Sequence, residues 1–294
     1  MAVRTARLVV STALTVLVSL SGAPGVGADD LTAVLDRVGE RVERYYVRAQ
    51  SIVALETVRI QPETRTMTPD GFARVLAYEI RVEWTPPSNG SRADPKIVRE
   101  LQKVNGRPPN PKDKDVDSKC MDPEPVSPEP LAMFLASDRQ DYVFSLTGRG
   151  KMDGRPTVTI DYRPREKGHD SIKWNEDCVK LDLPGHFRGR VWVDEETADI
   201  LRMDEALVGT FSFDVPPDKQ LPLARSPEMR LEQALTSTRY QPVVFHDPEE
   251  TLLLPRSVET LNAWNNAGYA RVRITQTFSN YRRFVGDSHL VPPP

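Results

Sequence analysis

Few residues in this sequence are placed to do chemistry. A histidine serves catalysis or metal binding only near a second ligand or a base, and the four histidines are scattered: His169, His186, His246 and His289. The best local cluster is residues 246–250 (His-Asp-Pro-Glu-Glu), where the proline prevents a helix from placing two of these side chains on one face. We therefore interpret this cluster as a polar turn between strands, and we predict neither a metal site nor a cofactor.

Pairs of carboxylates could support a second kind of chemistry. Glycosidases need two of them opposed across a cleft, about 5–10 Å apart, and a sequence does not reveal that distance. The acidic residues of segment 191–202 (Asp194, Glu195, Glu196 and Asp199) fit a strand, a charged turn and a second strand. The sequence has no Gly-x-Ser-x-Gly elbow, phosphate-binding glycine loop or His-Glu-x-x-His motif. A hydrolase acting on envelope material stays an alternative, and the sequence favours a protein that is not an enzyme.

The beginning of the chain predicts export. Arg4 and Arg7 precede an apolar run from Leu8 to Leu20, and the small residues 26–28 suit signal peptidase, with cleavage after Ala28. The apolar run is about 13 residues long, whereas a membrane-spanning helix needs about 20. We therefore predict a signal peptide over residues 1–28, a periplasmic or secreted location and no transmembrane segment after cleavage.

The two cysteines and the charge balance agree with that location. An exported protein with only two cysteines, Cys120 and Cys178, is expected to pair them in a disulfide, for which the chain-entropy model gives about 4 kcal/mol. A reactive thiol or a metal pair is disfavoured, because the two cysteines are far apart and no histidine pattern accompanies them. With 39 basic and 42 acidic residues, the chain lacks the basic footprint of a nucleic-acid-binding protein.

The elements that would position any site are one helix and many strands. Apolar residues at helical spacing predict an amphipathic helix over residues 30–49, and residues 130–136 suit a short helix. Period-two alternation and turn signals predict strands at 52–61, 72–84, 96–104, 141–148, 155–163, 188–194, 199–215, 230–246, 253–264 and 268–284. We predict one β-rich domain over residues 29–288, with proline-rich loops at 107–130 and 216–228, a polar connection at 164–187 and a disordered tail at 289–294.

Apolar strand faces are the most suggestive feature of the sequence. They are formed by Tyr78, Ile80, Val82 and Trp84 on one strand, by Phe211 and Phe213 on another, and by Val272, Ile274 and Phe278 on a third. Such alternation is typical of any half-buried sheet, so an ordinary core is one interpretation. The other is a cavity for an apolar ligand, with Met133 and Phe134 on the short helix acting as a lid.

Two fragments resemble a known family. Residues 189–197 (GRVWVDEET) with 200–203 (ILRM), and residues 275–284 (TQTFSNYRRF), resemble segments of outer-membrane lipoprotein carrier or sorting proteins and of uncharacterised exported bacterial relatives of that group. The resemblance implies a mainly β, α+β fold: a strongly curved antiparallel sheet or half-open β-barrel whose concave face is covered by the N-terminal helix and the short helix. In the carrier family the cavity accepts the acyl chains of lipoproteins. This chain departs from the family by its proline-rich insertions.

Three functions follow from these patterns, in order of preference. The first is a non-enzymatic envelope protein that binds an apolar ligand such as a lipid or a lipoprotein acyl chain. The second is a protein-interaction or structural module of the envelope, which the long proline-rich loops and charged hairpin tips would suit. The third is the hydrolase considered above.

Overall fold

The structure is a computed structural model that describes residues 28–49, 52–85, 94–110, 129–175, 178–220, 227–246, 249–265 and 271–283. Residues 1–27 of the predicted signal peptide, the predicted tail at 289–294, most of the first proline-rich loop with Cys120, and part of the second loop lie outside the described residues. The predicted Cys120–Cys178 disulfide therefore stays a prediction. Trp84 lies on a described strand, but its side chain is outside the described part of the structure.

The element order is a helix followed by strands, as the sequence predicts. Helix α1 spans Ala28–Arg48, and the short 3-10 helices span Glu129–Phe134, Arg139–Asp141 and Pro217–Lys219. We call Glu129–Phe134 the 3-10 segment. The strands are β1 Ile52–Glu63, β2 Arg74–Thr85, β3 Asp94–Val104, β4 Tyr142–Met152, β5 Arg155–Pro164, β6 Ser171–Asn175, β7 Cys178–Asp182, β8 Phe187–Asp194, β9 Ile200–Leu207, β10 Phe211–Asp214, β11 Glu228–His246, β12 Glu249–Asn265 and β13 Arg271–Arg283.

Two sequence predictions about strands are wrong. The single strand predicted over 199–215 is two strands, β9 and β10, because Gly209 adopts a positive φ of 78° between them, a conformation that turns the chain. The connection predicted over 164–187 contains the hairpin of β6 and β7, whose apolar residues alternate with polar ones over strands of only 5 residues each, so the signal was short.

The strands form one large curved sheet that stays open. Its order is β3-β2-β1-β13-β12-β11-β9-β8-β5-β4, with β10 added beside β11, and the pairs are antiparallel. The edge strands β3 and β4 do not pair with each other within the described residues. The predicted fold class, a mainly β protein with a strongly curved antiparallel sheet, is confirmed, and the sheet is not a closed barrel.

The strand register defines one continuous face across the sheet. Directly paired residues project to the same side, so a row of paired residues can be followed from edge to edge. That row is Leu146, Ile160, Val191, Met203, Thr238, Val258, Gln276, Val58, Leu76 and Val104. Helix α1 packs against its Ile160 and Val191 end. We call this side of the sheet the inner face.

Helix α1 covers only part of the inner face. Its buried side chains Leu35, Val38 and Val42 recur at helical spacing and pack, with the 3-10 segment, on β5, β8 and β9. The helix lies very close to the 3-10 segment, since a Cβ on Gly39 would stand 2.8 Å from the backbone oxygen of Phe134. Glycine at this position is what allows the approach.

Candidate functional site

The inner face has a second apolar region, formed entirely by strands. Ten buried side chains from β1, β2, β12 and β13 pack together here, and partly buried residues of β3 and β13 join them at the margin. Among the described residues, α1 and the 3-10 segment contribute no member to this cluster. We call it the strand-only patch: Ala54, Val58, Ile60, Leu76, Tyr78, Ile80, Val258, Val272, Ile274 and Phe278.

The structure brings together five of the residues that the sequence singled out. Tyr78, Ile80, Val272, Ile274 and Phe278 all belong to the strand-only patch. They come from two strands, β2 and β13, that are distant in sequence and are joined through β1, which pairs with both. The patch is therefore the candidate functional site.

The remaining candidates fall elsewhere. Val82 is buried opposite Ile52 of β1 but is not a member of the patch cluster. Phe211 and Phe213 lie on β10, where they stack with each other, and Phe213 also contacts Trp174 of the β6–β7 hairpin and Trp264 of β12. These two phenylalanines therefore join the hairpin to the sheet, away from the patch.

Met133 and Phe134 are buried in the apolar cluster that α1 forms with the 3-10 segment and strands β5, β8 and β9, which we call the helix-covered core. Phe134 is fully buried, and its ring lies 5.5 Å from that of Phe144 on β4. Both residues pack in the same cluster as α1 and strands β5, β8 and β9. Their burial does not support a lid role, which stays a prediction.

A buried ion pair lies at the side of the patch, and sequence analysis missed it. The carboxylate of Glu56 is fully inaccessible and accepts two hydrogen bonds from Arg99, of 2.7 and 2.9 Å, and one of 2.8 Å from the amide of Gln276. The guanidinium of Arg99 also lies 3.9 Å from the ring centre of Tyr78. Because Glu56 alternates in phase with Ala54 and Val58, the signal was an acidic residue on the inward side of an apolar strand.

A second carboxylate on the inner face, that of Glu205 on β9, lies beside the helix-covered core. Tyr162 of β5 lies directly over Gly189 of β8, where any Cβ would collide with its ring, and its hydroxyl donates a 2.8 Å hydrogen bond to Glu205 of β9. Burial raises the pKa of Glu205, and the Tyr162 hydrogen bond opposes this only in part. The inner face therefore contains a carboxyl group that gains from staying protonated.

We expect Glu205→Gln to make stability less dependent on pH. A carboxyl group whose folded pKa is raised stabilises the protein fully below its unfolded pKa of about 4.3, and this contribution is lost as pH rises through the folded pKa. The variant should therefore equal the wild type near pH 4 and be the more stable one near pH 8, in urea unfolding followed by circular dichroism. Tyr162→Phe removes the hydrogen bond that lowers the pKa of Glu205. This variant should therefore lose more stability than the wild type between pH 4 and pH 8. Parallel pH curves for wild type and Glu205→Gln would contradict the assignment.

The acidic turn between β8 and β9 is a structural feature. Asp194 is buried, a position that by itself would raise its pKa, but hydrogen bonds from the backbone of Thr197 and Glu196 and the 2.6 Å ion pair with Arg155 lower the pKa overall. Asp199 is paired with Arg41 of α1. Both carboxylates are thus engaged in holding the turn and the helix, and nothing in this geometry favours a hydrolase.

The described histidines, His169, His186 and His246, lie outside the strand-only patch, and His169 is exposed. His186 pairs with Asp170 at 2.9 Å, and His246 is exposed at the end of β11. In the described ranges, no group of three or more His, Cys, Asp or Glu side chains is placed to bind a metal ion. His289 is outside those ranges. The helices that the structure describes include none with the length and apolar character to cross a membrane.

Comparison with known proteins gives structural likenesses only. No protein-family model matches the chain, and no curated protein matches it. Among solved structures, the chain is similar to an outer membrane lipoprotein-sorting protein domain from Vibrio parahaemolyticus, with a TM-score of 0.44 and 10% identity over 86% of this chain and 92% of that one. A DUF1329 family protein from Desulfovibrio piger gives a TM-score of 0.41 at 10% identity, covering 87% and 94% of the two chains.

A third likeness belongs to the same kind of protein. A LolA superfamily protein from Nitrosomonas europaea gives a TM-score of 0.35 and 10% identity, covering 86% of this chain and 93% of that one. These descriptions agree with the resemblance to lipoprotein carrier and sorting proteins that the sequence fragments indicated. Because the TM-scores and identities are low, the likenesses carry no argument about function.

Proposed function

We propose that this protein is a non-enzymatic envelope protein that binds an apolar ligand, such as a lipid or a lipoprotein acyl chain, on the strand-only patch. The observation that supports the proposal is the composition of the inner face: ten buried apolar side chains from four neighbouring strands, with no member from the described side chains of α1. A globular protein ordinarily covers the apolar face of a sheet with another layer of structure. The ten side chains are already buried, at most 8% exposed, so an apolar ligand would bind by inserting among them rather than by covering an open surface.

The dimensions of the patch suit a long chain. From Ala54 to Ile60, β1 runs about 20 Å at roughly 3.3 Å per residue, and four strands at about 4.8 Å spacing span about 14 Å. Each methylene group that leaves water gains about 0.8 kcal/mol. An acyl chain lying along the strands would therefore bind chiefly through its apolar surface.

The predicted signal peptide is consistent with this function, because lipid carriage and sorting of lipoproteins are tasks of the bacterial envelope. An envelope interaction module and a hydrolase stay alternatives, but no specific observation on the described residues favours either of them.

We expect Leu101→Glu to weaken the binding of palmitate at least tenfold. Leu101 is a partly buried residue of β3 that packs against the edge of the patch, so a carboxylate there would have to lose its hydration when the ligand binds. Val98→Glu is the matched control, because Val98 lies on the same strand, points to the opposite face and is 47% exposed. Titration of both purified variants with palmitate would measure the effect.

Lipid extraction and native mass spectrometry of the protein purified from its own envelope fraction would identify the natural ligand. A stoichiometric acyl species that is retained by Val98→Glu and lost from Leu101→Glu is the expected result. Equal loss from both variants, or no binding of palmitate by the wild type, would count against the patch as the site.

A further inference from the structure

A cleft lined by arginines lies between the C-terminal half of α1 and strands β9, β11 and β12. Arg41, Arg44 and Arg48 are spaced along one side of the helix and line it, whereas Asp199 is the one carboxylate among its lining residues. Its apolar lining includes Val42, Leu131, Ile200, Leu252 and Tyr240. The cleft thus combines an excess of positive charge with an apolar floor.

One of the three arginines has no acidic partner within the described residues. Arg41 pairs with Asp199, and Arg48 pairs at 3.1 Å with Glu250. Arg44 is exposed, and its Nε donates only to a backbone oxygen of its own helix, that of Glu40, at 3.2 Å. No carboxylate among the described residues lies within ion-pair distance of Arg44. Its guanidinium is therefore available to an anion that enters the cleft.

The floor of the cleft is continuous with the strand-only patch. Tyr45 and Leu252 line the cleft and also belong to an apolar cluster at the end of α1 that includes Ile52 of β1. Tyr281 packs against both this cluster and the strand-only patch. Burial raises the pKa of Tyr45, and the phenols of Tyr240 and Tyr281 are close enough to raise it further. An apolar path therefore leads from the arginines to the patch.

We propose that this cleft binds the anionic head group, a carboxylate or a phosphate, of an amphiphilic ligand whose apolar chain lies on the strand-only patch. The inference rests on the proposed function, and it names the class of ligand: an anionic lipid rather than a neutral one. The cleft encloses about 40 Å³, which is too little for a whole lipid, since sites for drug-sized ligands measure about 300–1,000 Å³. A guanidinium matches the oxygens of either head group with two parallel hydrogen bonds.

Three ligands with the same acyl chain test this inference: palmitate, palmitoyl lysophosphatidic acid and the neutral lipid monopalmitin. We expect the wild-type protein to bind at least one of the two anionic ligands at least tenfold more tightly than monopalmitin, measured by calorimetry below the concentration at which micelles form. The preference should decrease with added salt, because Arg44 is exposed to screening. The anionic ligand that binds more tightly distinguishes a carboxylate from a phosphate head group.

The variant Arg44→Gln should remove most of that preference. Glutamine has a similar helix propensity to arginine, so α1 should remain folded, while the affinity for the preferred anionic ligand falls about tenfold and that for monopalmitin is unchanged. Arg239→Gln is the control, because Arg239 is an exposed arginine of β11 outside the cleft. Equal affinities for charged and neutral ligands, or an unchanged Arg44→Gln variant, would overturn the head-group site alone. Failure of all three ligands to bind would overturn the proposed function as well.

Discussion

Replacing Arg99 by alanine is expected to lower the free energy of unfolding by about 3–5 kcal/mol, because it would leave the Glu56 carboxylate buried without its charged partner. The guanidinium supplies two of the three hydrogen bonds that Glu56 accepts, and only Gln276 would remain. Arg99 also reaches from the edge strand β3 over β2 to β1, so its loss should loosen the edge of the sheet. Urea unfolding followed by tryptophan fluorescence would measure the change.

Arg190→Ala provides a matched control for this prediction. Arg190 makes the same kind of bidentate ion pair, donating two hydrogen bonds of 2.5 and 2.8 Å to Asp161, but this pair is on the exposed surface. Water screens exposed pairs strongly, so the control should change stability much less. The double variant Glu56→Leu with Arg99→Met should recover much of the loss, because apolar residues can replace a buried pair at little cost. Equal losses of stability in Arg99→Ala and Arg190→Ala would show that the buried Glu56 pair matters no more to stability than an exposed pair.

Local patterns were sufficient to predict most elements of this fold. The spacing of Leu35, Val38 and Val42 predicts α1 to within two residues of its observed ends, because the periodicity of a helix is contained in neighbouring residues. Strand alternation succeeded in the same way for β2 and β13. Segment 199–215 divides into two strands because Gly209 adopts a positive φ. A glycine permits this conformation but does not require it, so the residue type alone did not predict the turn.

The assembly of the site was beyond local patterns. Alternation indicated that Tyr78 and Ile274 each project from an apolar strand face, but not that β1 would lie between their strands. That arrangement requires the last strand, β13, to insert between β1 and β12, which is a pairing over more than two hundred residues of sequence separation, as in the Ile60–Ile274 pair. The Glu56–Arg99 pair depends on the same kind of information. Sequence patterns therefore predicted the parts of the patch, and only the register joined them.

The sequence could also not decide whether Phe134 belongs to a lid or to the core, and stability measurements can. We expect Phe134→Ala to lower the free energy of unfolding by about 3–5 kcal/mol, the usual cost of deleting a buried phenylalanine ring. The ring is fully buried among α1, β4 and the strands of the helix-covered core. Urea unfolding would measure the loss. The slope of the unfolding free energy against urea concentration should stay the same as in the wild type. Phe72→Ala is the control, because Phe72 is fully exposed and its removal should leave stability unchanged.

Ligand affinity separates the two roles of Phe134 further. Phe134→Leu keeps most of the buried volume and should fold, so its affinity for palmitate can be compared directly with that of the wild type. If Phe134 is a core residue, this substitution should leave the affinity for palmitate unchanged, because Phe134 belongs to the helix-covered core and the ligand would contact the strand-only patch. A lid residue should instead change the rate of ligand release with little effect on stability, since a lid must open without unfolding the protein. A small loss of stability for Phe134→Ala, together with faster release from Phe134→Leu, would therefore restore the lid interpretation.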